Sequence, residues 1–162
     1  MNAPLVLSPE SLARIDHAVA KYPPEEKQSA VMAALTIAQD EKGWLSTATM
    51  DFVAQYLDMP PIAVYEVASF YTMYDLKPVG KCKLAICTNL PCALQGATVA
   101  AAHLKQKLGI GFGETTADGA FTLKEAECLG ACGDAPVLLV NNKRMACAMS
   151  ADKLDKLIEE MK

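Results

Sequence analysis

Four of the six cysteines in this 162-residue chain fall into two short-spaced pairs, and those pairs constrain the fold more than any other feature. Cys87 and Cys92 close the segment Cys-Thr-Asn-Leu-Pro-Cys, and Cys128 and Cys132 close Cys-Leu-Gly-Ala-Cys. Thiolate is the side chain that binds iron–sulfur clusters and zinc. A fold that brings two pairs together supplies the four ligands that either one requires. A disulfide framework is the weaker reading. The opening Met-Asn-Ala-Pro-Leu-Val-Leu-Ser has no basic segment and only a short apolar run, so no secretory signal is expected. Reduced, cytoplasmic thiols follow as the expectation. Zinc ribbons favour two residues between paired cysteines, whereas the gaps here are four and three. Those gaps suit a two-iron unit better and leave zinc open.

Charge narrows the partners. Acidic residues outnumber basic ones, 19 to 15, for a net charge of -4, and no Lys/Arg block occurs, so nucleic acid is an unsuitable ligand. The stretch from Leu84 to Leu104 has no Asp, Glu, Lys or Arg and is long enough to span a bilayer. Asn89, Pro91, Gln95, Gly96 and His103 interrupt it, however, and much of the rest is Ala, Thr and Cys. A soluble chain is expected.

Residues 1–78 read as a helical domain. Ser8-Pro9-Glu10 is a helix start, and Leu12, Ile15, Val19 and Tyr22 recur at helical spacing up to Pro23. Pro23-Pro24 stops that helix and starts a second, in which Val31, Leu35 and Ala38 form an apolar stripe up to Gly43. Ser46 caps a third helix reaching Leu57, and Ile62 to Tyr71 fits a fourth.

Near Pro78-Val79-Gly80 the pattern changes to alternation by two, which places a domain boundary there and a second domain at 79–162. Lys81 to Ile86 predicts a strand with Cys82, Leu84 and Ile86 on one face, delivering Cys87 to the loop beyond. Leu94, Ala97, Ala101, Leu104 and Leu108 predict a helix closed by Gly109. Phe121 to Glu127 predicts a strand leading to Cys128. Val137 to Val140 and Arg144 to Ala148 predict a hairpin across Asn141-Asn142, with a final helix after Ser150. The order β-α-β-β-β-α indicates an α+β chain, a helical bundle followed by a small thioredoxin-like sheet domain. Both cysteine loops can then lie at one end of the sheet. Gly130 and Gly133 allow backbone N–H groups to approach sulfur, and a helix starting after Cys92 would add a favourable dipole.

The two cysteine segments, the continuation Gly-Asp-Ala-Pro, and the upstream Val-Tyr-Glu-Val-Ala-Ser-Phe-Tyr-Thr-Met-Tyr together resemble the thioredoxin-like [2Fe-2S] subunit of respiratory complex I, NADH:quinone oxidoreductase. The likeness runs from about Tyr22 to Lys162. It implies that Cys87, Cys92, Cys128 and Cys132 ligate a [2Fe-2S] cluster. It also implies that the subunit docks on a flavoprotein carrying FMN and binding NADH, and that it exchanges single electrons with that flavin. The enzyme would be the whole assembly, with no complete active site in this chain. Its place would be cytoplasmic, peripheral at the inner face of the cell membrane through the complex. Related subunits occur in NAD-linked formate dehydrogenases and bidirectional hydrogenases, which remain alternative parents. Cys82 and Cys147 depart from the pattern.

Other signals take plain readings. Gly109, Gly111 and Gly113 follow a helix rather than a strand and lack nucleotide-loop spacing. His17 and His103 are isolated on predicted helices. Cys82 and Cys147 read as small buried hydrophobes. Eight of the ten aromatic residues precede the boundary, more than a small helical unit can bury, so Phe70-Tyr71-Thr72-Met73-Tyr74 is expected to contact the flavoprotein. Two rivals are weaker. A zinc-stabilised adaptor is opposed by the acidic balance, and a thiol–disulfide oxidoreductase lacks Cys-x-x-Cys at a strand-to-helix turn.

Overall fold

The structure, a computed structural model, describes residues 6–162. They form two compact units, the first ending at Pro78 and the second running from Val79 to Lys162.

The first unit is helical. Ser8 caps α1 (Pro9–Val19), its hydroxyl accepting from the Ser11 N–H at 3.2 Å. The Glu41 carboxylate accepts from the Ser8 N–H at 3.0 Å and from its hydroxyl at 2.9 Å. The helix stops at Val19, short of the expected Tyr22. Residues ahead of proline are driven out of the helical region, and the Lys21 and Tyr22 N–H groups fold back to the Ala18 and Val19 carbonyls. Tyr22 is exposed rather than part of the stripe. Pro24–Ala30 is a 3-10 turn, not the start of the second α-helix, because Glu26 sits at φ -113°, ψ 30°. Helix α2 (Val31–Lys42) follows and ends on Gly43, whose φ of +82° is a left-handed cap donating to the Gln39 carbonyl.

Helix α3 (Thr47–Tyr56) is capped by Ser46, which accepts from the Thr49 N–H at 3.1 Å. Helix α4 spans Pro61–Phe70. Ile15, Leu35, Leu45, Val53, Leu57 and Val64 form the centre of this unit, each about fully buried. Each such burial contributes roughly 1.5–3 kcal/mol against leaving the side chain in water.

The second unit is built on a five-stranded sheet of order β2-β3-β1-β4-β5, comprising β1 (Cys82–Cys87), β2 (Glu114–Thr115), β3 (Phe121–Ala126), β4 (Leu138–Val140) and β5 (Arg144–Ala146). Strands β1 and β3 are parallel, in register from Cys82 opposite Phe121 to Cys87 opposite Ala126. A parallel pair requires a crossover, provided by α5 (Leu90–Leu94) and α6 (Ala97–Leu108). Strands β4 and β5 pair antiparallel across Asn141 and Asn142, both at positive φ, as the hairpin reading requires. Helix α7 (Ala151–Glu160) buries Leu154, Leu157 and Ile158. These pack with Leu84, Ile86 and Leu104 into the main core of the unit.

Three expectations change. Strand β1 extends to Cys87, whose N–H donates to the Val137 carbonyl at 3.1 Å, so this cysteine belongs to the sheet rather than to the loop. Leu94 is 78 % exposed on α5 and does not join the α6 stripe, because left-handed Gly96 breaks the two helices apart. The two-residue β2 is additional to the expected order, being too short to show alternation. Among the described residues no helix is long and apolar enough to cross a membrane. The uncharged stretch from Leu84 divides into β1, α5 and α6.

Candidate metal centre

Parallel pairing puts the C-terminal ends of β1 and β3 at the same edge of the sheet. Cys87 is the last residue of β1, opposite Ala126, and Cys128 follows two positions beyond β3. Val137 leads the chain back beside Cys87 into β4. A small apolar cluster, separate from the main core, forms at this edge. It contains Cys87, Cys92, Ala97 and Val137, with Leu129, Ala131, Ala135 and Cys147 packed against it.

The two pairs differ in burial. Cys87 and Cys92 are 0 % and 1 % exposed, while Cys128 is exposed and Cys132 half-buried. The Cys128 and Cys132 sulfurs are 4.0 Å apart. Cys92 packs with Cys87 in the small apolar cluster and interacts electrostatically with Cys87, Cys132 and Cys128, so the four thiols occupy one neighbourhood. Burial first, then the Cys87 thiol beside it, pushes Cys92 up to about 11. The Cys128 thiol raises Cys132 in turn. Metal binding here must displace protons, which makes loading pH-dependent.

Backbone geometry around the second pair favours anionic sulfur. Gly130 adopts φ +74°, and its N–H donates to Cys128 Sγ at 3.4 Å. Cys132 opens the 3-10 turn Cys132–Asp134. That loop is anchored from the segment after β5, since the Ala148 N–H donates to the Asp134 carbonyl and the Met149 N–H to the Pro136 carbonyl. No helix dipole lies beyond Cys92 in the expected form. Cys92 is inside the short α5, and α6 starts only at Ala97.

Sequence reasoning reads Cys147 as a small buried hydrophobe and His103 as solvated or half-buried; the second reading holds, the His103 side chain being 28 % exposed. Cys147 is half-buried and packs against the thiol cluster rather than in the main core. Only the hairpin register could have revealed this: Leu138 pairs with Ala146, so the next pair outward sets Val137 beside Cys147. His103 is paired, its Nε2 lying 2.8 Å from the Asp155 carboxylate, which also takes Lys107 Nζ at 3.3 Å. These groups tie α6 to α7 and stand outside the thiol cluster. Cys82 is a buried hydrophobe, 1 % exposed, with burial raising its thiol to about 11. Gly109 is a left-handed helix end.

The model of the thioredoxin-like [2Fe-2S] ferredoxin family matches residues 15–162. The chain belongs to this family. Within it, the chain is 45% identical over 143 residues to an NADH-quinone oxidoreductase subunit from Rickettsia prowazekii, covering 88% of this chain and 80% of that protein. It is 39% identical over 162 residues to a mitochondrial protein of Dictyostelium discoideum named NADH dehydrogenase [ubiquinone] flavoprotein 2, covering 99% of this chain and 65% of the relative. Among solved structures it superposes on an NAD+-reducing [NiFe]-hydrogenase with a TM-score of 0.68 at 23% identity, over 78% of this chain. This chain spans about a fifth of that hydrogenase chain, 22%, and the likeness is one of fold. The α+β architecture, helices followed by a thioredoxin-like [2Fe-2S] domain, is thus the family's own.

The thiol neighbourhood fits the family's cofactor in its donor chemistry. All four side chains are soft thiols, the ligands that hold the four-cysteine class of iron–sulfur cluster. Among the described residues no group of three or more His, Cys, Asp or Glu side chains is arranged as it stands to hold a metal ion. A two-iron unit needs two thiolates per iron, and two pairs drawn together meet that need.

Proposed function

We propose that Cys87, Cys92, Cys128 and Cys132 hold a [2Fe-2S] cluster, and that the chain is the electron-transfer subunit of an NADH dehydrogenase module of the complex I type. The observation that carries this is the gathering of four thiols, from the end of β1, from α5 and from the segment beyond β3, at one edge of a parallel strand pair. When bound, such a cluster exchanges one electron at a time, so a flavin must stand between it and the two-electron hydride of NADH. Hydride chemistry is left to a partner flavoprotein carrying FMN.

The protein's own residues do the rest. Cys87 and Cys92 seal the inner side of the site against water, and the Gly130 N–H offsets negative charge on the outer side. Cys128, at the surface, leaves an open edge for electron exchange. The names of the relatives support the assignment to NADH:quinone oxidoreductase, a complex through which the chain would sit peripherally at the membrane.

The partner would cover the end of α4. Phe70 is 78 % exposed with its ring edge-on to that of Tyr71, itself 39 % exposed. Tyr74, in the same aromatic segment, is turned inward, its hydroxyl donating to the Met32 carbonyl at 2.9 Å.

Electron paramagnetic resonance of the reduced protein tests the ligand set. Cys92→Ala and Cys132→Ala should each abolish the rhombic signal of a reduced two-iron cluster. An unchanged signal in both variants refutes the assignment.

A further inference from the structure

Asn89 immediately precedes α5, where an asparagine ordinarily turns its side-chain oxygen to the free N–H groups of the first helical turn. It has the extended backbone for this role, φ -59° and ψ 156°, yet its side chain makes no capping bond. Its carboxamide faces Cys87 instead, with Oδ1 4.0 Å from Sγ and the thiol as donor.

Cys87 has few other sources of a hydrogen bond. Its buried neighbours in the cluster are Cys92, Ala97 and Val137, with Leu129, Ala131, Ala135 and Cys147 packed against them, and it is 0 % exposed. Its own N–H is spent on the Val137 carbonyl. A thiol can donate to a carbonyl oxygen, but a thiolate on iron has no proton and can only accept. A carbonyl oxygen left facing it would set two acceptors together. A half-turn of the carboxamide exchanges Oδ1 for Nδ2, groups of nearly equal size, and offers an N–H at the same place.

We infer that Asn89 is a positioning residue of the cluster site, its side-chain N–H donating to the ligated Cys87 sulfur and raising the reduction potential. Reduction adds negative charge to the cluster, so a donor to sulfur stabilises the reduced form more than the oxidised one. The inference rests on Cys87 being a ligand, as proposed above. On the outer side Gly130 N–H faces Cys128 in the same sense, so each pair would have one donor to its first sulfur.

The test uses the cluster-loaded full chain produced with asparagine labelled with 15N in the side-chain amide. Pulsed paramagnetic resonance of the reduced protein should show a 15N coupling, and the labelled Asn89→Leu protein should lack it. At an ambient potential near the native midpoint, Asn89→Leu should lower the reduced-to-oxidised ratio about three- to tenfold, a drop of roughly 28–59 mV. A residue acting only on α5 would lower the melting temperature and leave the potential in place. A native spectrum without the coupling, or an Asn89→Leu protein with the native potential, overturns the inference. If Asn89→Leu does not retain its cluster, the coupling in the native protein decides alone. Absence of any rhombic signal from the native protein would refute the ligand set instead.

Discussion

In the helical unit, α1 and α3 each begin on a serine whose hydroxyl takes the third N–H of the helix, and Glu41 reaches from the far end of α2 to close over Ser8. In the sheet unit none of α5, α6 and α7 has a side-chain cap. Such caps are worth about 1 kcal/mol each, so the first unit fastens α1 and α3 locally, while α2 and α4 have no side-chain cap. The second depends on pairing distant segments, β1 with β3 and β4. It also divides its apolar residues between a main core and a small thiol cluster. The groups flanking the thiols, Gly130 N–H and the Asn89 carboxamide, face sulfur. Two helix starts of the first unit are closed by side chains, whereas in the second the polar groups beside the thiols face sulfur.

Core truncation should give the largest separation of the two. Leu35 and Leu84 are both 0 % exposed, one in each core, and replacing either by alanine should cost about 2–5 kcal/mol. Leu84→Ala should also reduce cluster content, because it loosens the strand that carries Cys87, whereas Leu35→Ala should leave iron per folded chain unchanged. Chemical denaturation read alongside iron analysis checks this, and equal iron loss in both variants would erase the contrast.

Next in size is the division between docking and redox roles. Phe70→Ala should weaken flavoprotein binding by about 2 kcal/mol if Phe70 is an interface anchor, without moving the reduction potential. Calorimetric titration of the two proteins measures the first and a redox titration the second; native affinity would remove α4 from the interface.

The smallest effect concerns acid. The Lys42 ammonium, with the Ser11 and Ser8 donors, holds Glu41 at about 2, below its ordinary 4.5. Because the folded value is the lower one, the carboxylate stabilises the fold above about pH 4.5, and that contribution fades as pH falls toward 2. Glu41→Gln should therefore narrow the gap between urea midpoints taken near pH 6 and near pH 3. The site is solvated, so the change is slight. Asp155 is lowered in the sheet unit by His103 first and Lys107 after it, with the same sign.

Much of the fold was legible because its signals are local. Ser8, Ser46, Gly43 and Gly109 mark helix ends through their own chemistry, and Asn141-Asn142 marks a turn. What escaped was settled by partners remote in sequence. Whether Cys87 is strand or loop depends on Val137, and whether Cys147 belongs to the core or to the thiol cluster depends on hairpin register. Leu94 has helical spacing from Ala97 and Ala101, but Gly96 turns the backbone between them. The cysteine spacing alone left zinc open, and the family match decides the cofactor's type.

The parallel register that sets Cys87 opposite Ala126 also imposes an order on biogenesis. A chain emerging from the ribosome displays Cys87 and Cys92 before the strand that leads to Cys128 and Cys132 has been synthesised. Until the crossover helices have folded and the later strand has slid in alongside, there is half a nest and nothing to close it. If these four thiols hold the proposed cluster, its loading is completed only after the second pair has been synthesised.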